Sequence, residues 1–233
     1  LNGERIGGTD YGYVGFEIDV TGLLRYGQDN LVAVYANSGK PKASRWYTGA
    51  GLFRDVWLRF RNPTHIARHG ICVATPKITD AEAVVQVQVD VAGFPHGSGE
   101  LPKTFVRATV KDKDGRALGS SSAAMATLTK HSHDEVPLPP ITISTPTLWD
   151  LGNPYLYTVE VDVTVDSMLV DSQCETFGVR TIEYGPDFGF KLNGKKIILK
   201  GIANHHTLGA LGAAAYPRAI EKRIQLLKTF GFN

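Results

Sequence analysis

From residue 13 the segment "YVGFEIDV" alternates Val14, Phe16, Ile18 and Val20 against Gly15, Glu17 and Asp19. A period of two with one apolar face predicts a half-buried strand rather than a helix. "NLVAVYAN" and "RDVWLRF" repeat the texture between clusters of Gly, Asn and Asp, so the first 63 residues are expected to hold antiparallel strands.

Beyond Asn62-Pro63 a second series begins: "HGICVATPKI", "EAVVQVQVDVAG", "TFVRATVKDKDGR", "VPLPPITI", "YLYTVEVDVTVDS" and "LVDSQCETFGVRTIEY". Short runs at this spacing, separated by "KDG", "STPT", "LGNP" and "TVDSM", predict a sandwich of about seven strands. In "LWDLGNPYLYTVEV" a Trp and two Tyr stand just ahead of a strand, which fits the immunoglobulin-like variant. There a tyrosine hydroxyl ties the strand start to nearby backbone, and Tyr155 and Tyr157 are both candidates.

After residue 184 the pattern changes again. "FKLNGKKIIL" predicts a hairpin with Asn193-Gly194 at its tip, and the returning strand runs on through Ile202 toward His205 and His206. "YPRAIEKRIQLLKTFG" then offers Pro217 in a first turn, Ile220, Ile224 and Leu227 at helical spacing, and Gly231 as a stop. Strand, loop and amphipathic helix, followed by "FGFN", form the first βα unit of a parallel α/β domain. One such unit cannot close a parallel sheet, and three or four strands make only half a sandwich, so the chain reads as an internal segment of a larger protein.

Composition narrows the partners. A formal charge of +2 arises from 25 basic and 23 acidic residues that are well interleaved, which argues against nucleic acid. No apolar run reaches the roughly 18 residues of a membrane span, and "LNGERIGG" has no signal-like core. Cys72 and Cys174, about 100 residues apart, match neither a disulfide framework nor a zinc motif; two free thiols are expected, with a cross-strand disulfide as the alternative. Compartment and self-association into a homo-oligomer stay open.

"SRWYTGAGLFRDVWL" (44–58), "LWDLGNPYLYTVEV" (148–161), "FGVRTIEY" (177–184) and "FKLNGKKIILKGIANHHTLGALGAA" (190–214) resemble, in order, glycoside hydrolase family 2, and "HHTLGALGAA" is most similar to its β-galactosidase branch. The resemblance implies a mainly β chain in three parts. Residues 1–63 would be the tail of a jelly-roll sugar-binding domain, 64–184 an immunoglobulin-like β-sandwich, and 185–233 the start of a TIM barrel.

It also implies retaining hydrolysis of terminal β-galactosides by two glutamates about 5 Å apart, without a cofactor. The acid/base of the family lies in an Asn-Glu pair. None occurs in these 233 residues, and Glu160, Glu183 and Glu221 sit in strand or helix patterns as solvated faces. No catalytic residue is therefore expected in this segment, which alone should be inactive. β-Glucuronidase or β-mannosidase activity, and a non-catalytic carbohydrate-binding or scaffold module, are the alternatives.

Sugar recognition is what the segment would supply. By the resemblance, His205 falls on the histidine that binds the sugar before the scissile bond, at the C-terminal end of a barrel strand, where such sites form. A neutral imidazole both donates and accepts, as a ring hydroxyl requires. His206 falls where relatives often carry Glu, and adjacent strand residues face opposite ways, so it is expected to support rather than contact.

Arg45 falls where relatives carry an aspartate that touches the sugar and helps hold sodium. Arginine cannot ligate a cation, so no metal is carried over, while its guanidinium could donate to sugar hydroxyls. Trp46 could offer an aromatic face to the pyranose. "HSHDE" (131–135) places His131 and His133 on one strand face, a weak metal pattern far from that site.

Overall fold

The computed structural model describes residues 1–37, 51–52, 54–93, 103–125, 133–205, 207–212, 214 and 216–233. The chain is mainly β and divides into two units, one of residues 1–56 with 203–226 and one of residues 57–202 with 227–233.

In the second unit, strands β1 (His65–Ile78), β2 (Glu82–Ala92), β5 (His133–Pro137) and β6 (Ile141–Ser144) form one sheet in which β2 pairs with all three others. Strands β3 (Thr104–Lys111), β4 (Ala117–Met125), β7 (Tyr157–Val165) and β8 (Met168–Phe177) form a second, ordered β4-β3-β7-β8. All of these pairings are antiparallel.

The period-two pattern decides which way each strand faces. Val85, Val87, Val89 and Val91 of β2 and Val159, Val161 and Val163 of β7 are fully buried in one core, whereas Gln86, Gln88, Glu160 and Asp162 point outward. At about 1.5–3 kcal/mol for each fully buried valine side chain, these seven positions account for much of what holds the two sheets together. β5 and β6 are the single expected segment "VPLPPITI", interrupted where Pro139 and Pro140 have no N–H for a ladder bond. β4 was not predicted: "ALGSSSAAM" is a sheet edge of small residues with no apolar alternation, and its pairing with β3 alone reveals it.

Tyr157 is the corner residue of the two candidates. Its buried hydroxyl accepts the Thr147 backbone N–H at 2.8 Å, ten residues upstream, and its ring stacks on Phe177 with centroids 5.7 Å apart. Tyr155 packs edge-on against it at 4.9 Å and takes the Lys113 N–H at 3.3 Å. Nearby, the Arg180 guanidinium lies 4.5 Å over the Trp149 ring, and a Cβ at Gly178 would come within 2.9 Å of the Trp149 side chain.

The peptide ahead of β1 is fastened to β8. Asp171 accepts from Arg61 at 3.3 Å, from the Ile66 N–H at 2.9 Å and from Gln173 at 3.1 Å, and the Asn62 side chain donates to the Val170 carbonyl. The two cysteines are free.

In the first unit the expected strands do not form. Residues 13–20 and 30–37 carry no ladder, and Val14, Phe16, Val32 and Val34 are more than half exposed. A strand's backbone groups and its apolar face both need neighbouring strands, and no such neighbour is found among the described residues. Residues 54–60, which run on into the second unit and in which Trp57 and Phe60 are exposed, likewise carry no ladder. Local polar bonds order the segment instead. Asn30 Oδ1 accepts from Asn2 and from the Arg25 N–H, while Asn2 Oδ1 accepts the Leu31 N–H.

Candidate functional site

The approach to the site is a tight hairpin. β10 (Gly189–Leu192) pairs with β9 (Ile182–Gly185) on one side and with β11 (Lys195–Lys196) on the other. Asn193 and Gly194 have φ of 50° and 73°, the two left-handed positions of a type I′ turn. The Asn193 side chain does more than tolerate that geometry: its Oδ1 takes the Thr181 N–H and its Nδ2 donates to the Trp149 carbonyl, both at 3.0 Å. The hairpin tip is thereby tied to the sandwich.

Ladder pairing stops at Lys196, short of the expected strand through Ile202. The chain still runs alongside Asn233: the Asn233 N–H and Nδ2 donate to the carbonyls of Lys200 and Ile198, and Asn233 Oδ1 accepts the Lys200 N–H. Side-chain amide bonds here take the place of a ladder, which needs a longer neighbour.

The segment leads to His205, which is exposed. Beyond Thr207 the loop closes on itself, with the Leu208 N–H on the Gly212 carbonyl at 2.8 Å around a 3₁₀ turn, Gly209–Leu211. Gly209 and Gly212 have φ of 58° and 60°; with ψ of −134°, Gly212 occupies a region that only glycine enters freely.

Helix α1 (Pro217–Thr229) follows as predicted, with Pro217 in its first turn. Gly231, at φ 80°, ends it: the Phe232 N–H bonds the Leu227 carbonyl and the Gly231 N–H that of Lys228, the paired bonds of a Schellman cap. From this helix Arg223 reaches the loop, donating through Nη1 to the His205 carbonyl at 3.0 Å and through Nη2 to the Thr207 carbonyl at 2.6 Å. Sequence reading missed Arg223, because a lone arginine on a helix carries no signal of what it touches.

Arg45, Trp46 and His206 lie outside the described residues, as does His131. His133 places Nδ1 3.2 Å from Asp90, and among the described residues no three His, Cys, Asp or Glu side chains converge on a metal position. Glu160 holds Lys111 through both oxygens at 2.9 Å, and Glu221 accepts from Arg218 and Gln225. The Lys111 ammonium is held above its ordinary range chiefly by that bond. An open cleft lined by Asn2, Arg25, Asp29 and Asn30 offers little, since the Asn2 and Asn30 side chains are spent on one another and on local backbone.

The model of the family Glycosyl hydrolases family 2 matches residues 64–180, and Beta-galactosidase BoGH2A of Bacteroides ovatus is 33% identical over 236 residues, which is 100% of this chain and 27% of that protein. The chain belongs to glycosyl hydrolases family 2. A solved family 2 member from Bacteroides cellulosilyticus DSM 14838 superposes with a TM-score of 0.85 at 36% identity, covering 96% of this chain and 30% of that one. A putative beta-glucuronidase of Formosa agariphila is 28% identical over 100% of this chain and 21% of its own length. The chain thus spans between about a fifth and a third of these family 2 proteins, whose names divide between two sugars.

Proposed function

We propose that these residues are the recognition segment of a longer retaining glycosidase that removes terminal β-galactosyl groups. In this reading residues 1–63 are the end of a jelly-roll domain, 64–184 an immunoglobulin-like sandwich and 185–233 the opening of a TIM barrel. The strand order β4-β3-β7-β8 facing β1-β2-β5 with β6, and the Tyr157 corner, support the second assignment. Asn233 lying beside residues 198–200 after an intervening helix supports the third, as the start of a parallel neighbour.

The observation that carries the function is His205, exposed just beyond the segment that β11 begins, in a chain of this family. Barrel sites form where strands end. There the imidazole donates to one ring hydroxyl and accepts from another, and a bond that tightens as the ring flattens favours the oxocarbenium-like transition state. Arg45 and Trp46 add contacts from the jelly-roll loop, and His206 supports. The two carboxylates of the reaction lie on later barrel strands, so this segment alone does not turn over.

β-Glucuronidase is the second reading, favoured by the Formosa agariphila relative. Assay of the full-length protein on nitrophenyl β-glycosides separates the two. The galactoside is expected to be cleaved with kcat/KM at least about tenfold above the glucuronide, the margin of one well-placed polar contact. The reverse order would transfer the assignment, and no hydrolysis of any glycoside would leave a binding module.

A further inference from the structure

We infer that Asn193 is a deamidation site that the fold holds closed, so that release of the hairpin tip from the sandwich is recorded as an irreversible covalent change. In an Asn-Gly pair the peptide nitrogen that follows the asparagine carries no side chain on its own residue to obstruct it. The Gly194 nitrogen attacks Asn193 Cγ, a new C–N bond closes a five-membered imide, and the Cγ–Nδ2 bond breaks. Nδ2 leaves as ammonia with the proton of the Gly194 N–H. Water then opens the imide at one carbonyl or the other, giving an aspartyl or an isoaspartyl residue.

The contacts of Asn193 oppose that attack. Its N–H donates to the Thr181 carbonyl and its Oδ1 accepts the Thr181 N–H, each at 3.0 Å, so the side chain extends the ladder one position past the Leu192–Ile182 pair. Nδ2 donates to the Trp149 carbonyl, also at 3.0 Å. An N–H on one side and a carbonyl on the other settle which end of the amide is oxygen. Cyclisation makes Cγ tetrahedral and draws it to Gly194, which moves both ends off the positions where Thr181 and Trp149 hold them. The anchor is itself fastened: the Trp149 N–H bonds the Val179 carbonyl at 2.9 Å, and Arg180 lies over the Trp149 ring. Asn2-Gly3, the other such pair in the chain, makes its side-chain bonds at exposed places, whereas those of Asn193 are partly buried.

Conversion also prevents the tip from returning. An ionised aspartate accepts but does not donate, so a carboxylate oxygen would face the Trp149 carbonyl where a donor stood. The isoaspartyl product adds a backbone carbon to a turn whose φ values, 50° and 73°, already fit a type I′ hairpin.

The test incubates the full-length protein at pH 8, digests it and follows the peptide that holds Asn193 by mass spectrometry, with fragmentation that separates isoaspartate from aspartate. A synthetic peptide of residues 189–198 gives the rate without the fold. Native Asn193 is expected to convert at least about tenfold more slowly than the peptide, and to speed up in urea too dilute to unfold the protein, in step with hydrogen exchange at the Thr181 N–H. Both are expected to yield isoaspartate with aspartate. A native rate equal to that of the peptide, or no response to urea short of global unfolding, would overturn the gate, and aspartate alone would overturn the imide route. In N193D and in aged wild-type protein alike, residues 182–196 should exchange faster than in fresh wild type. Unchanged protection there would overturn the release of the tip.

Discussion

At the scale of single residues, chemistry that can be named from sequence was placed only as far as its neighbours are local. His205 was singled out as a sugar contact through the family resemblance, whereas Arg223 drew no attention, because its bond to the His205 carbonyl spans 18 positions of the chain. Cys174 shows the same limit. Although the residue is exposed, partial withdrawal of its thiol from water pushes its pKa up, the Glu160 carboxylate 3.9 Å away adds to the effect, and Lys111 opposes it. Since the thiolate is the nucleophile, a raised pKa means less of it at a given pH. At pH 8, peptide-resolved mass spectrometry on the full-length protein should find Cys174 alkylated by iodoacetamide more slowly than a free cysteine peptide, and an equal or faster rate would contradict the raised pKa. Glu160→Gln should speed the alkylation.

Elements followed the hydrophobic pattern wherever their partners are present. Seven of the eight sandwich strands come from six segments read by their pattern, such as "EAVVQVQVDVAG", because the one segment that holds β5 and β6 divides where two prolines stand. β4 was illegible because Ser and Ala give no contrast between its faces. Residues 13–20 show the opposite failure, a strand pattern without a ladder, since pattern fixes a face but cannot supply a neighbour. The Tyr157 corner joins the two levels: one of two tyrosines singled out from sequence locks the start of β7 to the chain ten residues before it. Tyr157→Phe leaves the Thr147 N–H without its acceptor in a partly buried place, a cost of about 1–3 kcal/mol. Hydrogen–deuterium exchange should show faster exchange at Thr147 and along β7, and unchanged protection there would remove the corner from the account.

At the scale of the whole molecule, exposed apolar side chains tell more than the core. Val14, Phe16, Val32, Val34, Trp57 and Phe60 lie open, as do Ile198, Leu199 and Ile202 on the approach to His205. The two stretches fall in the parts proposed as jelly-roll tail and barrel start. The sandwich between them, whose strands are all paired, is the part that the family model matches. The chain aligns with 27% of the Bacteroides ovatus relative, and the proposed chemistry takes its two carboxylates from outside the aligned part.

The central claim is that this segment brings a sugar-binding histidine to a glycosidase, and the most direct measurement is kcat/KM of full-length wild type and His205→Ala on nitrophenyl β-galactoside. A loss of at least about tenfold, with His206→Ala losing much less, is the predicted result. Wild-type kinetics in His205→Ala would contradict it.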